Sequence, residues 1–160
     1  MQIRLAKPAD HAAIWAILEP VIRAGETYAL SRDMGKADAL AYWVAPDRET
    51  FVTEHDRKIL GTYYLRPNQC GGGAHIANCG YVTHPDANGQ GIARRMCEHS
   101  LAQARARGYL AMQFNFVLAS NERAVRLWQR LGFETLGRIP QAFRHPGLGF
   151  VDALIMFRKL

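Results

Sequence analysis

The chain has 160 residues, of which 49% are apolar and 21% charged. That mix suits one domain with its own core and is too apolar for a disordered chain. The formal charge of +6 suits an anionic partner, a nucleic acid or a phosphate-rich cofactor, without choosing between them.

The apolar run at residues 12–18 is far short of the roughly 20 residues that a membrane span needs. The first eight residues also lack the apolar core of a signal peptide. The expectation is a soluble, cytoplasmic protein with no membrane partner.

Residues 2–7 alternate apolar and polar side chains, as a half-buried strand does. Pro8-Ala9-Asp10 then opens a helix with Ile14, Leu18, Val21 and Ile22 on one face, stopped at Gly25. A second helix covers residues 36–44, with Ala39, Leu40 and Trp43, and ends before Pro46. Strands at 49–54 and 58–65 form a hairpin about His55-Asp56-Arg57. Gly71-Gly72-Gly73 makes a flexible loop, and a strand follows at 74–83.

Residues 91–107 repeat Ile92, Met96, Leu101 and Ala104 at helical spacing, closed by Gly108. Residues 109–118 alternate strictly, with Leu110, Met112, Phe114, Phe116 and Leu118 on one face and Gln113 and Asn115 on the other. A helix at 121–131 ends at Gly132, and strands at 134–139 and 150–158 flank a loop rich in Pro and Gly. The expected architecture is a single mixed α/β domain over residues 1–160.

Cys70, Cys79 and Cys97 are widely spaced and form no C-x-x-C pair. They read as reduced thiols in or beside the core, with neither a disulfide framework nor a metal site. Cys79 and Cys97 are not expected nucleophiles, because no patterned His or carboxylate activates them.

The stretch from Tyr81 to Arg94 runs strand, turn, glycine-rich loop, helix. Gly89 and Gly91 remove side chains where a backbone must approach a ligand. The free N–H groups and dipole of the following helix favour negative charge, so a pyrophosphate would fit there. The spacing is neither a Walker loop nor a Rossmann fingerprint, and a structural turn is the plain alternative. In the second constellation, Asn121 to Phe133, Asn121 can simply cap its helix, and Trp128 lies two turns later on about the same face.

Together these segments resemble the GCN5-related N-acetyltransferase (GNAT) superfamily. Asn88 to Ala93 is similar to its acetyl-CoA signature, R/Q-x-x-G-x-G/A. Asn121 to Phe133 is similar to N-x-x-A-x-x-L-Y/W-x-x-L-G-F. The resemblance implies a mostly antiparallel sheet of about seven strands flanked by four helices, splayed between the fourth and fifth strands. It implies acetyl-CoA as acetyl donor, with the backbone of Tyr81, Val82 and Thr83 pairing with pantetheine. Gly89, Gln90, Gly91, Ile92, Ala93 and Arg94 would hold the pyrophosphate, and Asn121 would contact the pantetheine arm. A homodimer is common in the superfamily, and no nucleic-acid partner is implied.

The sequence departs from the pattern twice. Asn88 stands where Arg or Gln is usual, and Trp128 where many members carry a tyrosine that protonates the leaving thiolate. An indole N–H is too weak an acid for that task, so Trp128 reads as packing.

A further resemblance, to the proline-analogue N-acetyltransferases that act on azetidine-2-carboxylate, rests on Ala74 to Tyr81 and on Asn115 to Asn121 with Val151-Asp152-Ala153. It implies that Asn78 and Asn115 position the acceptor's amine and carboxylate. A neutral amide can donate or accept without titrating, although satisfying a buried strand edge is the plainer role. Glu26, Tyr28 and Tyr64 are expected to line the acceptor pocket. Glu26, His75 and Asp152 are the candidate general bases, with relay through water as the alternative. The expected acceptor is a small amino-acid-like amine. A protein amine, an antibiotic amine, or a non-catalytic acyl-CoA sensor are the alternatives.

Overall fold

The computed structural model describes residues 1–87 and 89–160. Strands β1 (Gln2–Leu5), β2 (Glu49–His55), β3 (Lys58–Pro67), β4 (Ile76–Thr83), β5 (Ala111–Leu118), β6 (Glu134–His145) and β7 (Gly149–Lys159) form one sheet, in the order β1-β2-β3-β4-β5-β7-β6. Four α-helices among the described residues flank it: α1 (His11–Ala24), α2 (Lys36–Trp43), α3 (Ile92–Ala106) and α4 (Glu122–Arg130). Every strand pair is antiparallel except β4–β5.

Period-two alternation sends the two sides of each strand into different cores. Tyr63, Leu65, Ala77 and Cys79 pack under α3 and α4 with Met96, Leu101 and Trp128. Val52, Tyr64 and Val82 pack under α1 and α2 with Ile14, Leu18 and Trp43. Trp43 fixes α2 to the sheet, because its indole N–H donates to Thr62 Oγ1 at 3.0 Å and its carbonyl accepts from Thr50 Oγ1 at 2.8 Å.

The parallel ladder between β4 and β5 contains only Ile76↔Ala111 and Ala77↔Met112. Beyond Ala77 the strands part, and the sheet opens at its centre. Ile76 and His84 both turn their backbones toward β3, so the even positions between them face β3. The odd positions Cys79, Tyr81 and Thr83 face the gap.

Several sequence expectations change here. The N-terminal strand is shorter than residues 2–7, and a 3-10 turn at Pro8–Asp10 precedes α1. The alternation expected through residues 109–118 breaks, because Phe114↔Met156 is followed by Val117↔Leu154. The extra residue is a β-bulge at Asn115 and Phe116, which leaves Phe116 exposed; Leu110 lies exposed before the strand begins. The expected loop after residue 139 is largely strand: β6 runs on to His145. Pro140 is tolerated there because β6 is an edge strand and a second register shift lies between Ile139 and Phe143.

Candidate functional site

The parted strands open onto a cavity of about 310 Å³. Its walls come from the loop after α1 (Tyr28), from α2 and β3 (Tyr42, Tyr64, Arg66), from both edges of the gap and from the start of α4. Tyr64 stands opposite Gly80, and a Cβ at Gly80 would lie 2.6 Å from the tyrosine ring. Glycine there lets the ring lie across β4 and form a wall.

Asn78 is buried at the point where the strands part, and its Nδ2 donates to the Gln113 carbonyl across the gap at 2.9 Å. Asn115 sits on the bulge of β5, exposed to the same cavity. Its Oδ1 accepts from Gln113 Nε2 at 2.9 Å, and its Nδ2 donates to Asn68 Oδ1 at 2.7 Å. The two asparagines are thus brought to one cavity, and each also satisfies a neighbour. Asn121 caps α4, its side-chain oxygen accepting from Ala124 N at 3.2 Å, and it lines the cavity as well.

The remaining predicted acceptor residues divide. Tyr28 lines the cavity, and its hydroxyl donates to the Tyr81 carbonyl at 3.0 Å. Burial pushes the Tyr28 and Tyr64 hydroxyls above the usual phenol range, so both stay protonated. Glu26 does not join them: it is exposed and outside the cavity lining, while the chain turns inward at Thr27 and Tyr28.

None of the expected bases lies in the cavity wall. His75 is exposed and outside the lining. Asp152 is also outside it, with its oxygens accepting from Gln141 N at 2.9 Å and Arg138 Nη1 at 2.8 Å. Those two donors hold its carboxyl below the usual carboxylate range, so it is a poor base. No carboxylate or imidazole lines the cavity among the described residues.

β4 leads from this cavity into the glycine loop. Gly89 and Gly91 have φ of +83° and +75°, and a Cβ at either would meet open space. Both therefore hold a left-handed backbone beside an open surface. Gly91 begins α3 with no side-chain cap and no acidic residue in the first turn. Among the described residues no side chain caps the first N–H groups of α3, so they can take an anion. Ile92 is buried in the core, whereas Arg94 is exposed and pairs with Glu98 at 2.8 Å. Asn88, the departure from the usual Arg or Gln, lies outside the described residues.

Tyr81, Val82 and Thr83, expected to act together toward pantetheine, are separated by the strand's alternation. The backbone N–H and C=O groups of Tyr81 and Thr83 face the gap, whereas those of Val82 face β3 and its side chain is buried under α1 and α2. Trp128 packs against Tyr81 and Phe114, with ring centroids 5.2 Å from each, and its edge reaches the cavity. The buried Cys79 and Cys97 thiols are pushed up to about 12, which keeps them protonated.

Sequence reasoning missed Arg66. It stands at the end of an apolar strand, before Pro67, where a charge reads as a solvated strand end. In the structure it reaches the cavity wall.

The Acetyltransferase (GNAT) family model matches residues 13–133. N-acetyltransferase aca1 of Schizosaccharomyces pombe is 38% identical over 112 residues, 69% of this chain and 54% of that protein. The chain thus spans about half the length of this curated relative. A GCN5-related N-acetyltransferase from Kribbella flavida superposes with a TM-score of 0.95 at 37% identity, covering 99% of this chain and 97% of that one. A phosphinothricin acetyltransferase from Sinorhizobium meliloti, solved in complex with AcCoA, has a TM-score of 0.87 at 19% identity over 99% of this chain and 88% of its own. At that identity the likeness is one of fold. The family match runs from α1 to the end of the α4 motif and includes the parted strands and the glycine loop, so the chain belongs to the Acetyltransferase (GNAT) family.

Proposed function

We propose that the chain is an acetyl-CoA-dependent N-acetyltransferase, transferring directly to the amine of a small amino-acid-like acceptor, proline analogues among them. The observation that carries this reading is the cleft: parted parallel strands join an amide-lined cavity to a glycine loop with free helix N–H groups.

Acetyl-CoA supplies an acetyl thioester, whose carbonyl carbon accepts the amine nitrogen as the thiol departs. Gly89, Gly91 and the start of α3 would cradle its pyrophosphate, and the gap-facing backbone of Tyr81 and Thr83 its pantetheine. Backbone N–H groups on the gap side of β4 would donate to the developing oxyanion. Asn78 and Asn115 would position the acceptor's amine and carboxylate. With no carboxylate or imidazole in the wall among the described residues, the amine's proton would leave through water.

The test follows thiol release from acetyl-CoA with azetidine-2-carboxylate, proline, 4-hydroxyproline, primary amino acids, polyamines, aminoglycosides and short peptides. Acetylation of the imino acids, checked by mass, supports the acceptor class; activity only elsewhere removes it. Asn115→Ala should lower acceptor turnover and leave acetyl-CoA titration intact. Gly91→Val should weaken that titration by about tenfold or more, at least about 1.4 kcal/mol.

Two observations favour a second reading, a non-catalytic acyl-CoA sensor: among the described residues the wall has no carboxylate or imidazole, and Trp128 stands where many members of the resembled family carry a tyrosine acid. Binding of acetyl-CoA without acetylation of any amine would select it.

A further inference from the structure

The cavity wall is neutral except at one side chain. Arg66 is the only charged residue in the lining among the described residues. It stands on β3 directly opposite Asn78 on β4, so the two side chains leave the same face of the sheet. Their Cβ atoms are then about 4.5–5.5 Å apart.

The bonding of Arg66 is incomplete. Its Nη1 donates to Asp47 Oδ2 at 3.1 Å, and its Nε is buried without a partner. Asp47 cannot neutralise it alone, because Arg48 already holds both oxygens of that carboxylate at 2.8 and 3.2 Å. Two guanidinium groups therefore share one anion, which leaves one positive charge over. Arg48 lies over the rings of Tyr42 and Tyr64, 5.1 and 4.7 Å from their centroids, and its Nη1 is also buried without a partner. Both rings line the cavity. Among the described residues no acidic side chain in the lining opposes this excess.

A guanidinium has five N–H donors in a planar fork that matches a carboxylate, and it stays charged at any ordinary pH. A compact anion entering the cavity would meet that fork beside Asn78. A cationic polyamine or aminoglycoside would meet an unmatched like charge.

We propose that Arg66 binds a free carboxylate on the acceptor and so holds the reacting amine at Asn78. This rests on the N-acetyltransferase reading and narrows its substrate class. The acceptor is a free amino or imino acid, with the carboxylate one carbon from the amine. Arg66 is then the specificity-determining residue, and the asparagines serve the amine. Peptides and carboxyl-blocked amines lack the recognised group at that distance.

The experiment compares azetidine-2-carboxylate with its carboxamide and with azetidine, and alanine with alaninamide, by thiol release at saturating acetyl-CoA. Each is run on wild type, Arg66→Gln and Arg66→Lys. The wild type should prefer each free acid by roughly tenfold or more in kcat/KM. Arg66→Gln should erase that preference through KM for the acids, with little change for the amides, and Arg66→Lys should restore part of it. Acetyl-CoA titration and the unfolding midpoint check that each variant is folded. Equal or better use of the amides by wild type overturns the proposal, and that comparison needs no variant. An unchanged acid-to-amide ratio in folded Arg66→Gln overturns it too. Silence with all five acceptors, acetyl-CoA still binding, overturns this proposal; the N-acetyltransferase reading falls with it only if the polyamines, aminoglycosides and peptides are silent too.

Discussion

The Asn78 side chain donates to the Gln113 carbonyl at 2.9 Å, one residue beyond the last backbone pair of the parallel ladder. A side chain thus continues a bond that the parting strands no longer make. It pins the near end of the gap, whose far end runs to the glycine loop. The same amide borders the cavity, so the residue that holds the split is also the one proposed to hold an acceptor.

Replacing Asn78 by Ala should therefore act on both. The Gln113 carbonyl loses its donor, with an expected cost of about 1–3 kcal/mol. Urea unfolding measures that loss, and acceptor kcat/KM should fall with it. A variant of full stability would show that the bond across the split contributes nothing.

The rate's pH dependence should belong to the acceptor. With no imidazole or carboxylate in the described lining, kcat/KM should rise with pH until the acceptor's own ammonium has lost its proton. Changing to an amine of lower pKa should move that limb by the same interval. A limb fixed at about pH 6.5 for every acceptor would instead assign the proton to a histidine.

Trp128 packs between Tyr81 and Phe114 and offers no useful acid at the cavity. Trp128→Phe should keep kcat within about threefold, since a working general acid is worth roughly 10²–10⁴. Trp128→Ala, by contrast, should cost about 3–5 kcal/mol of stability through the cavity it leaves. A hundredfold loss in the folded phenylalanine variant would give the indole a chemical role.

Asp10 ties β1 to the start of α1. Its oxygens accept from Arg4 at 2.7 and 2.9 Å and from Lys7 N at 2.7 Å. The Arg4 guanidinium holds its carboxyl below the usual carboxylate range. A depressed folded value stabilises the protein fully above the unfolded value, about 3.9, and the gain is lost as pH falls through the folded value. Asp10→Asn should lie about 1–3 kcal/mol below wild type at pH 7, and the gap should close as pH drops below about 3.9. Urea unfolding at a series of pH values checks this; a gap independent of pH would deny the linkage.

The sequence was most legible where local patterning and tertiary packing agree. The helices follow their apolar faces, and Gly25 closes α1 with the left-handed backbone its position suggests. β5 was misread because alternation carries no mark of a bulge, which depends on the register of β7. Pro140 reads as a loop residue until the sheet order puts β6 at an edge. Within the site, Asn78, Asn115 and Tyr28 meet in one cavity, but Glu26 and Asp152 do not. A carboxylate's worth as a base depends on its neighbours, and Arg138 and the Gln141 N–H beside Asp152 appear only once β6 and β7 are paired. Arg66 was silent for the same reason, since its partners Asp47 and Asn78 come from other elements.

The thiols give a test of direct transfer. Cys70 is exposed, while Cys79 and Cys97 are buried and pushed up to about 12 by desolvation. Thiolate is the reacting form, so the native protein at pH 8 should be labelled by a disulfide reagent at Cys70 alone. Cys70→Ser should abolish that labelling and leave N-acetyltransferase turnover unchanged; denaturant should release the other two thiols. Cys79 lines the cavity and is the cysteine a covalent route would use. Cys79→Ala should therefore retain turnover, with a loss attributable to packing in the core and visible in its unfolding midpoint. A fully folded Cys79→Ala protein that binds acetyl-CoA yet transfers nothing would overturn direct transfer, and acetyl label recovered on Cys79 of the wild type would identify the intermediate.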